Sequence, residues 1–214
     1  MADLIALSTK VVDSGHADES VNRTTGELSE IADGLAMVES FSHVVTWNSG
    51  DGLVCFDTSH VNTGQQVVDS IRNWTSDPFN ALVYTHGHAD HVGGSVAFGA
   101  NAAALGHKAP RVIGHKNVQR RFDRYRYTND WNVAINARQF GGIRGDLNSI
   151  MNDLRPADGA PRLSDFIPRN TLDTTDVVHK FASMKFGDSE VEFHHGKGET
   201  DDHLWSWFPK QKWV

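Results

Sequence analysis

Hydrophobic residues become periodic only from about Ala36 onward. Residues 1–35 are largely polar and lack clear periodicity, which is typical of a terminal arm that no packed core ties down. The contrast predicts an extended or mobile N-terminal lead-in over residues 1–35 and a folded domain over residues 36–214.

The start of that domain predicts a β-hairpin, a helix and a buried strand, in this order. Residues 37–47 are rich in β-branched and aromatic side chains, and a turn signal at 48–52 separates them from a second β-rich run at 53–56. Hydrophobic residues then recur at helical spacing over 67–74. The uninterrupted apolar run at 81–84 is typical of a strand that is buried on both faces.

The middle of the chain predicts two more helices with a strand between them. The Ala-rich residues 96–105 and the hydrophobic spacing over 118–125 favour helices, whereas residues 111–113 favour a short strand. Residues 141–170 are rich in Gly, Asp and Pro. They predict a long irregular loop, and loops of that length are usually functional or disordered.

The β signal returns after Thr175. Residues 177–186 and 191–195 flank a Gly-Asp-Ser turn and predict a second hairpin. Residues 203–208 predict a further strand, and the pattern favours the start of another one just before Val214.

Composition and charge narrow the class of protein. The chain has 214 residues, which suits one domain, and its formal net charge of −7 argues against a general nucleic-acid or membrane-surface binder. The sequence has neither the roughly 20 apolar residues of a membrane span nor a secretory signal. The single cysteine, Cys55, cannot form an internal disulfide and is interpreted as a small buried residue. These features predict a cytoplasmic protein without nucleic-acid or membrane partners.

Twelve histidines are the unusual feature of the composition, and several lie together in residues 85–91, directly after the predicted buried strand. The carboxyl ends of buried strands are where α/β sheets build their sites. On an extended loop His86 and His88 project to the same side and can converge on one ion, while Asp90 and His91 can serve a second ion or orient a water. Such ligands suit zinc, and also manganese or iron. The competing interpretation is a loop of solvated histidines, which the clustering disfavours.

Residues 85–91 read Thr-His-Gly-His-Ala-Asp-His and resemble the HxHxDH signature of the metallo-β-lactamase superfamily. The hairpin around 48–52 and the Phe-Asp-Thr at 56–58 are similar to the opening strands of that superfamily. The resemblance runs from about Ala36 to the end of the chain. It implies an α+β fold, an αββα sandwich with one or two metal ions at the edge of its two sheets.

The next ligand of the superfamily is normally a histidine in a Gly-His-Thr turn, but this chain has Glu199 at that place. A glutamate there resembles the alkylsulfatase branch, as do the strand and proline at 205–209 and the segments 121–125 and 136–140. The resemblance therefore implies a first metal site of His86, His88 and Glu199. Asp90 and His91 form half of a second site.

The superfamily places an acidic ligand that bridges the metals, and a final histidine, in strands beyond this point. The resemblance thus favours a fragment that lacks the C-terminal part of the domain, with a partner chain or His203 as alternative sources of ligands. One of His194 and His195 could face the metals, because alternation sends them to opposite faces of a strand. Three other histidines have no partner pattern and are predicted at the surface: His107, His115 and His179.

The implied activity is metal-dependent hydrolysis by a metal-bound hydroxide, because a divalent ion lowers the pKa of bound water to about 7. Asp90 is the candidate that orients this water. By resemblance to the alkylsulfatase branch, the substrate is a sulfate ester or a similar anionic ester, bound by Arg121, Tyr125, Asn136 and Arg138. Four arginines on one predicted helix add positive charge: Arg120, Arg121, Arg124 and Arg126. Arginine binds sulfate with two donors, although a solvated helix face explains the run equally well.

Three alternatives remain open. A lactam, lactone or thioester hydrolase of the same superfamily is one, although a histidine at position 199 would favour it more. Nucleic-acid processing is another, which the net charge of −7 disfavours. A non-catalytic metal-binding fragment is the third. An incomplete sandwich would also expose strand edges, so a homo-oligomer is possible.

Overall fold

A computed structural model describes residues 3–18, 23–139 and 165–214. The helices of these ranges are α1 (Leu4–Ser14), α2 (Gly64–Trp74), α3 (Ala89–Val92), α4 (Ser95–Ala104), α5 (Val118–Tyr127) and α6 (Asn129–Gln139). The strands are β1 (Leu28–Ala32), β2 (Leu35–Val38), β3 (Val44–Asn48), β4 (Leu53–Phe56), β5 (Phe79–Val83), β6 (Arg111–His115), β7 (Asp176–Val178), β8 (Phe181–Phe186), β9 (Ser189–His195) and β10 (Leu204–Trp207). None of the described helices is long and apolar enough to cross a membrane.

The strands form two sheets. Seven strands make a mixed sheet in the order β1-β2-β3-β4-β5-β6-β7, antiparallel from β1 to β4 and parallel from β4 to β7. Three strands make an antiparallel sheet in the order β10-β9-β8. Parallel neighbours need long crossovers, and α2 to α6 lie in the segments that connect β4 to β7.

Side-chain alternation on the central strands explains why the sheets stack. On β4, Leu53 and Cys55 join the core under the helices, whereas Val54 joins the core between the two sheets. On β5, Leu82 faces the helices and Val83 faces the small sheet. Both faces of these strands are buried, which is why their sequences are continuous apolar runs. The described residues thus form a helix layer, a large sheet and a small sheet.

Helix α2 shows how the helix layer is fixed to the large sheet. Val67, Val68 and Ile71 share one face of the helix and are fully buried. Burial of side chains of this size stabilises the fold by roughly 1.5–3 kcal/mol each. After Trp74 the helix ends, and Arg72 donates to the backbone carbonyl of Asp77 at 2.6 Å.

Most of the predicted elements are present, with several differences. The hairpin β3–β4, the strands β5, β6 and β10 and the helices α2, α4 and α5 lie where the hydrophobic pattern predicts them. The prediction of an extended lead-in over residues 1–35 is wrong at two places. Residues 4–14 form the helix α1, and residues 28–32 form β1, an edge strand of the large sheet. The run 177–186 is also divided, because Val177 pairs with β6 in the large sheet and the hairpin begins at Phe181. Most of the predicted loop over 141–170 lies outside the described residues.

Candidate metal centre

The candidate site lies where the two sheets meet. The histidine-rich loop leaves the carboxyl end of β5, and the turn that carries Glu199 connects β9 to β10 of the small sheet. The backbone N–H of Leu204 donates to the carbonyl of Thr85 at 2.7 Å, so the first residue of β10 is fixed to the start of the loop. This bond brings two segments together that are more than a hundred residues apart in the sequence.

His86, His88 and Glu199 converge in the structure. One potential ligand atom from each lies within 4.8 Å of the other two. Glu199 Oε1 is 3.4 Å from His88 Nδ1, and Glu199 Oε2 is 3.7 Å from His86 Nε2. The Glu199 side chain is 64% exposed, so its carboxylate covers the site from the solvent side. This grouping agrees with the pattern predicted from the sequence, and the role of the three residues as ligands stays a prediction.

The hydrogen bonds of His86 leave one ring nitrogen without a partner. The Thr85 hydroxyl donates to Asp57 Oδ2 at 2.8 Å, so its oxygen accepts the proton on His86 Nδ1 at 3.0 Å. His86 Nε2 therefore carries a lone pair, and it is buried without a hydrogen-bond partner among the described residues. Burial, together with the nearby His91 and His88, lowers the pKa of His86 to about 3, which keeps the ring neutral. A buried lone pair aimed at an imidazole and a carboxylate fits a divalent metal ion.

Asp57 organises this part of the site, although the sequence analysis gave it no functional role. It follows β4 with a φ of 61°, a left-handed backbone conformation that residues other than glycine adopt rarely. Its carboxylate accepts the backbone N–H and the hydroxyl of Thr85, each at 2.8 Å, and His91 Nδ1–H at 2.7 Å. Asp57 therefore sets the proton positions of His86 and His91 at once. The available signal was its place at the carboxyl end of the strand beside β5.

His91 and Asp90 lie against this first group of residues. The His91 ring centroid is 4.1 Å from that of His86, and its Nε2 is 3.5 Å from Asp90 Oδ2. Burial disfavours a charge on His91, yet the hydrogen bond and the charge of Asp57 raise its pKa. The hydroxyl of Ser42 donates to Asp90 at 2.7 Å. Asp90 and His91 are thus adjacent, as a partial second site requires, and Asp90's catalytic role stays a prediction.

Close backbone packing holds the loop in place. The backbone N–H of Thr58 donates to the His91 carbonyl at 2.7 Å, and the Gly94 N–H donates to the Ser59 carbonyl at 2.9 Å. A Cβ at Gly94 would lie 2.0 Å from the Thr58 carbonyl oxygen. Only glycine allows the segment after β4 and the segment after the histidine cluster to approach this closely.

A buried carboxylate, which the sequence analysis missed, contacts the middle of the loop. Asp202 is fully buried, and its Oδ2 accepts the backbone N–H of Gly87 at 2.8 Å. Its Oδ1 accepts Nε–H of Arg121 at 2.9 Å, and Arg121 also pairs with Asp201 at 2.5 Å. Burial favours the neutral acid, but the nearby Thr200 hydroxyl, Arg121 and the Gly87 N–H keep the pKa of Asp202 below its ordinary value. The chain therefore holds an ionised carboxylate directly behind the metal loop.

The remaining histidines of this region are not part of the converging group. His203 lies nearby, with its ring centroid 5.7 Å from that of His86 and its Nδ1 buried without a partner among the described residues. His194 stacks on Trp205 at 4.2 Å and forms a hydrogen bond with Glu192. Neither histidine adds a ligand atom to the group of three found in the described ranges.

His195 and His115 form a separate stacked pair. Their ring centroids are 4.1 Å apart and their planes differ by 8°. The prediction that His115 lies at the surface is wrong, because it is the last residue of β6, between β5 and β7, and only 2% exposed. His179 is exposed as predicted, and His107 is half-buried.

Comparison with known proteins decides the family. Residues 38–214 match the model of the metallo-beta-lactamase superfamily. The chain belongs to this superfamily. The fold expected from the sequence resemblance is confirmed.

Solved structures of the superfamily share this fold at low sequence identity. The sec-alkylsulfatase Pisa1 from Pseudomonas sp. has a TM-score of 0.63 at 16% identity, over 97% of this chain and 34% of that chain. A metallo-beta-lactamase with a HARLDQ motif from Cronobacter sakazakii has a TM-score of 0.57 at 13% identity, over 86% of this chain and 57% of that chain. BJP-1, a subclass B3 metallo-beta-lactamase of Bradyrhizobium japonicum, has a TM-score of 0.58 at 15% identity, over 85% and 56%.

This superfamily chain spans about half the length, or less, of those solved chains. At identities under one fifth, the likeness supports the fold and leaves the substrate open. A search of curated protein sequences finds no match.

A cavity of about 320 Å³ opens beside the metallo-beta-lactamase-type histidine loop. His88, Asp90 and Glu199 form part of its wall. Its apolar part comes from six side chains of the histidine loop, of the segments around α5 and α6 and of the loop after β2: Phe41, Ala89, Tyr125, Trp131, Ile135 and Phe166. Its remaining polar part comes from six residues: His60, Arg121, Arg124, Asn132, Asn136 and Gln139.

Three of the four predicted substrate-binding residues line this cavity: Arg121, Tyr125 and Asn136. Arg138 is exposed and is not among the described residues of the cavity wall. Asn136 donates to the Asn132 carbonyl within α6 at 2.9 Å. Arg121 has two of its nitrogens bound to aspartates, as described above. The contact of all four with a substrate stays a prediction.

The other arginines of α5 differ in their surroundings. Arg124 is exposed and lines the cavity, whereas Arg126 pairs with Asp123 at 3.5 Å and lies over the Phe122 ring. Arg120 is exposed. Within this run, Arg124 is thus the exposed cation beside the cavity. The helix therefore combines the two interpretations of its arginines, an anion-binding group at the cavity and a solvated face elsewhere.

Proposed function

We propose that this chain is a metal-dependent hydrolase of the superfamily and that it cleaves a sulfate ester or a similar anionic ester. The observation that carries the proposal is the buried Nε2 of His86. It presents a lone pair, without a hydrogen-bond partner among the described residues, to the space shared with His88 and Glu199. The donor set of two imidazoles and a carboxylate suits zinc first, and manganese or iron as alternatives.

The roles of the protein groups follow from their hydrogen bonds. A divalent ion held at this position would lower the pKa of a coordinated water and polarise the ester oxygen. Asp57 keeps the Nδ1 proton of His91 in place and, through Thr85, that of His86. Nε2 of His86 therefore faces the shared space, whereas Nε2 of His91 faces Ser42 at 3.0 Å and Asp90 at 3.5 Å. Asp90 places a carboxylate at the cavity wall, where it can orient the attacking water and take its proton.

The cavity supports an anionic substrate that has an apolar part. Arg124 offers an exposed guanidinium, and Asn136 lies on the same wall. Tyr125 and Phe166 pack edge to face with centroids 5.0 Å apart and supply apolar surface next to these polar groups. Guanidinium groups bind sulfate with two parallel donors, which favours a sulfate ester over an uncharged lactam or lactone.

The same proposal covers partners and location. The net charge of −7 favours a small-molecule substrate over nucleic acid and over an anionic membrane surface, and it accords with a cytoplasmic protein. The large sheet ends in the strands β1 and β7, and the small sheet ends in β8 and β10. Such edges can pair with another copy of the chain, so a homo-oligomer is part of the proposal.

A substrate panel tests the proposal. The purified chain is loaded with zinc and assayed with an alkyl sulfate, a nitrocefin-type lactam and a thioester, and Asp90→Asn is assayed alongside. We expect cleavage of the alkyl sulfate, and a decrease in kcat of about 10²–10⁴-fold in Asp90→Asn, because positioned proton transfer contributes that much. Zinc binding should be largely retained, because Asp90 lies outside the group of three.

The outcomes separate the candidate functions. Preferential turnover of the lactam or the thioester would replace the sulfate ester by the alternative hydrolase activity. Zinc binding without turnover of any of the three substrates would favour a non-catalytic metal-binding chain. Failure to bind zinc, manganese or iron would overturn the proposal as a whole.

A further inference from the structure

Asp202 connects three segments that are far apart in the sequence. It lies three residues after Glu199 in the turn between β9 and β10. It accepts the N–H of Gly87, the residue between His86 and His88, and the Nε–H of Arg121 on α5. The carboxylate is fully buried, so each of these bonds forms in a medium where an unpaired charge would cost several kcal/mol.

The space around Gly87 is shaped for this contact. A Cβ at position 87 would lie 2.9 Å from Asp202 Oδ2 and 3.1 Å from Arg121 Cδ. Any side chain there would push the aspartate and the arginine away from the loop. The need for glycine is steric, because the backbone of Gly87 is not among the positive-φ positions of the described residues.

The turn that carries Glu199 is therefore attached to the histidine loop on both sides of His86. Leu204 donates to the Thr85 carbonyl at 2.7 Å, and Asp202 accepts the N–H of Gly87 at 2.8 Å. Glu199 itself is exposed, and its contacts with the histidines in the described part of the chain are the approaches of 3.4 Å to His88 and 3.7 Å to His86. Its distance from the rings thus depends on how firmly residues 202–204 are held.

We propose that Asp202 is a positioning residue that sets the affinity of the site for a divalent ion by holding the Glu199 turn against the backbone between His86 and His88. The inference rests on the proposed metal site. Arg121 belongs to this support, because its guanidinium neutralises the buried carboxylate. Supporting groups behind metal ligands typically change metal affinity by about 10–100-fold when they are removed.

The chain offers a matched control in the neighbouring aspartate. Asp201 also pairs with Arg121, at 2.5 Å, but its side chain is 68% exposed and it does not contact the histidine loop. Exposed ion pairs change an equilibrium constant by no more than about fivefold. The variants Asp202→Asn and Asp201→Asn therefore remove the same charge beside the same arginine, and only the first disturbs the Gly87 contact. In Asp202→Asn, the amide oxygen can still accept the Gly87 N–H, but the amide NH₂ group then faces the Nε–H of Arg121. Two donors would point at each other, so the variant cannot keep both hydrogen bonds.

Zinc affinity, measured by competition with a chromophoric chelator, tests the proposal without relying on activity. We expect Asp202→Asn to weaken zinc binding about 10–100-fold and Asp201→Asn by no more than about fivefold. In a Glu199→Gln background, where the ligand is already weakened, Asp202→Asn should have an effect several times smaller. The reason is that Asp202 changes zinc affinity by positioning Glu199.

A general structural role gives a different pattern. Equal losses in both aspartate variants, or an undiminished effect of Asp202→Asn in the Glu199→Gln background, would overturn the inference. If Asp202→Asn does not fold, Gly87→Ala serves instead, because its Cβ displaces the same carboxylate, and unchanged zinc affinity in that variant counts against the proposal. The wild type separates this inference from the proposed function. Failure of the wild type to bind zinc, manganese or iron removes the proposed function, whereas unweakened binding in Asp202→Asn removes only this inference.

Discussion

Two groups of histidines lie near the same end of the sheets, each with one buried and one half-buried ring, and they differ in what their nitrogens face. The rings of His86 and His88 are tilted by 69° with centroids 4.5 Å apart, and the carboxylate of Glu199 approaches both. The rings of His115 and His195 are stacked at 4.1 Å and nearly parallel. Proximity and burial are common to both groups, so these properties alone do not identify a metal site.

Hydrogen bonding explains the difference. In the stacked pair, His115 Nδ1 accepts the backbone N–H of Asn117 at 3.3 Å. His195 Nε2 donates to the carbonyl of Asp201 at 3.0 Å. Ring nitrogens of the stacked pair thus form hydrogen bonds with backbone groups, whereas His86 Nε2 has no hydrogen-bond partner in the described part of the chain. The orientation of unpaired lone pairs therefore distinguishes a candidate ligand set from a structural pair.

The largest expected effect separates the two groups by metal content. We expect His88→Ala to lose nearly all bound zinc, because only one imidazole and one exposed carboxylate of the first site remain. His195→Ala should keep the zinc content of the wild type, since its ring lies outside the converging group. Elemental analysis of dialysed protein measures both. Equal zinc content in His88→Ala and the wild type would mean that the tilted group is not the metal site.

The next effect concerns the residue that orients the lone pairs. Asp57→Asn keeps a side chain that tolerates the φ of 61° but replaces a carboxylate that accepts three hydrogen bonds by an amide. We expect zinc affinity to decrease about 10–100-fold, because the Nδ1 protons of His86 and His91 are no longer fixed. Chelator competition measures this change. In the described part of the chain the rings of His115 and His195 bond to backbone groups rather than to a carboxylate, so the geometry of that pair should persist. A disturbed His115 resonance in NMR spectra would argue for general unfolding.

Local hydrophobic patterns in the sequence predict those helices and strands that have a buried face along their whole length. The strand β5 and the helix α2 are identified correctly, because their hydrophobic residues face one or two fully buried cores. The strand β1 was missed because it is a short edge strand whose sequence, Leu-Ser-Glu-Ile-Ala, does not alternate between apolar and polar residues. The helix α1 was missed because none of its residues is buried. Packing against a core therefore imposes no clear hydrophobic periodicity on its sequence.

The site shows the same limit in a different form. The spacing of His86 and His88 indicates a shared ion directly, whereas Glu199 could be assigned only through the family resemblance. Asp57 and Asp202 were missed because their partners are distant in the sequence; the contact of Asp202 with Gly87 spans 115 positions. Chemistry that a loop carries by itself can be found from spacing, but chemistry that depends on which loops meet needs the fold.

The smallest expected effect is a pH dependence that belongs to the stacked pair. Burial, followed by the charge of His195, lowers the pKa of His115 in the folded protein. The unfolded chain therefore binds a proton more tightly at this position than the folded one, and the free energy of unfolding rises with pH between the lowered pKa and the ordinary value of about 6.5. This contribution is complete above that ordinary value and is lost as the pH falls toward the folded pKa.

Denaturant unfolding of the metal-free protein at pH 7 and pH 5 measures this contribution. We expect His115→Gln to lose less stability than the wild type between the two pH values, because its side chain does not titrate. His86 adds a pH dependence of the same sign, and the raised pKa of His91 adds one of the opposite sign, but both remain in the variant, so the difference between the two proteins isolates position 115. An identical pH dependence in both proteins would show that His115 titrates normally, and the stacked pair would then not be desolvated as its burial indicates.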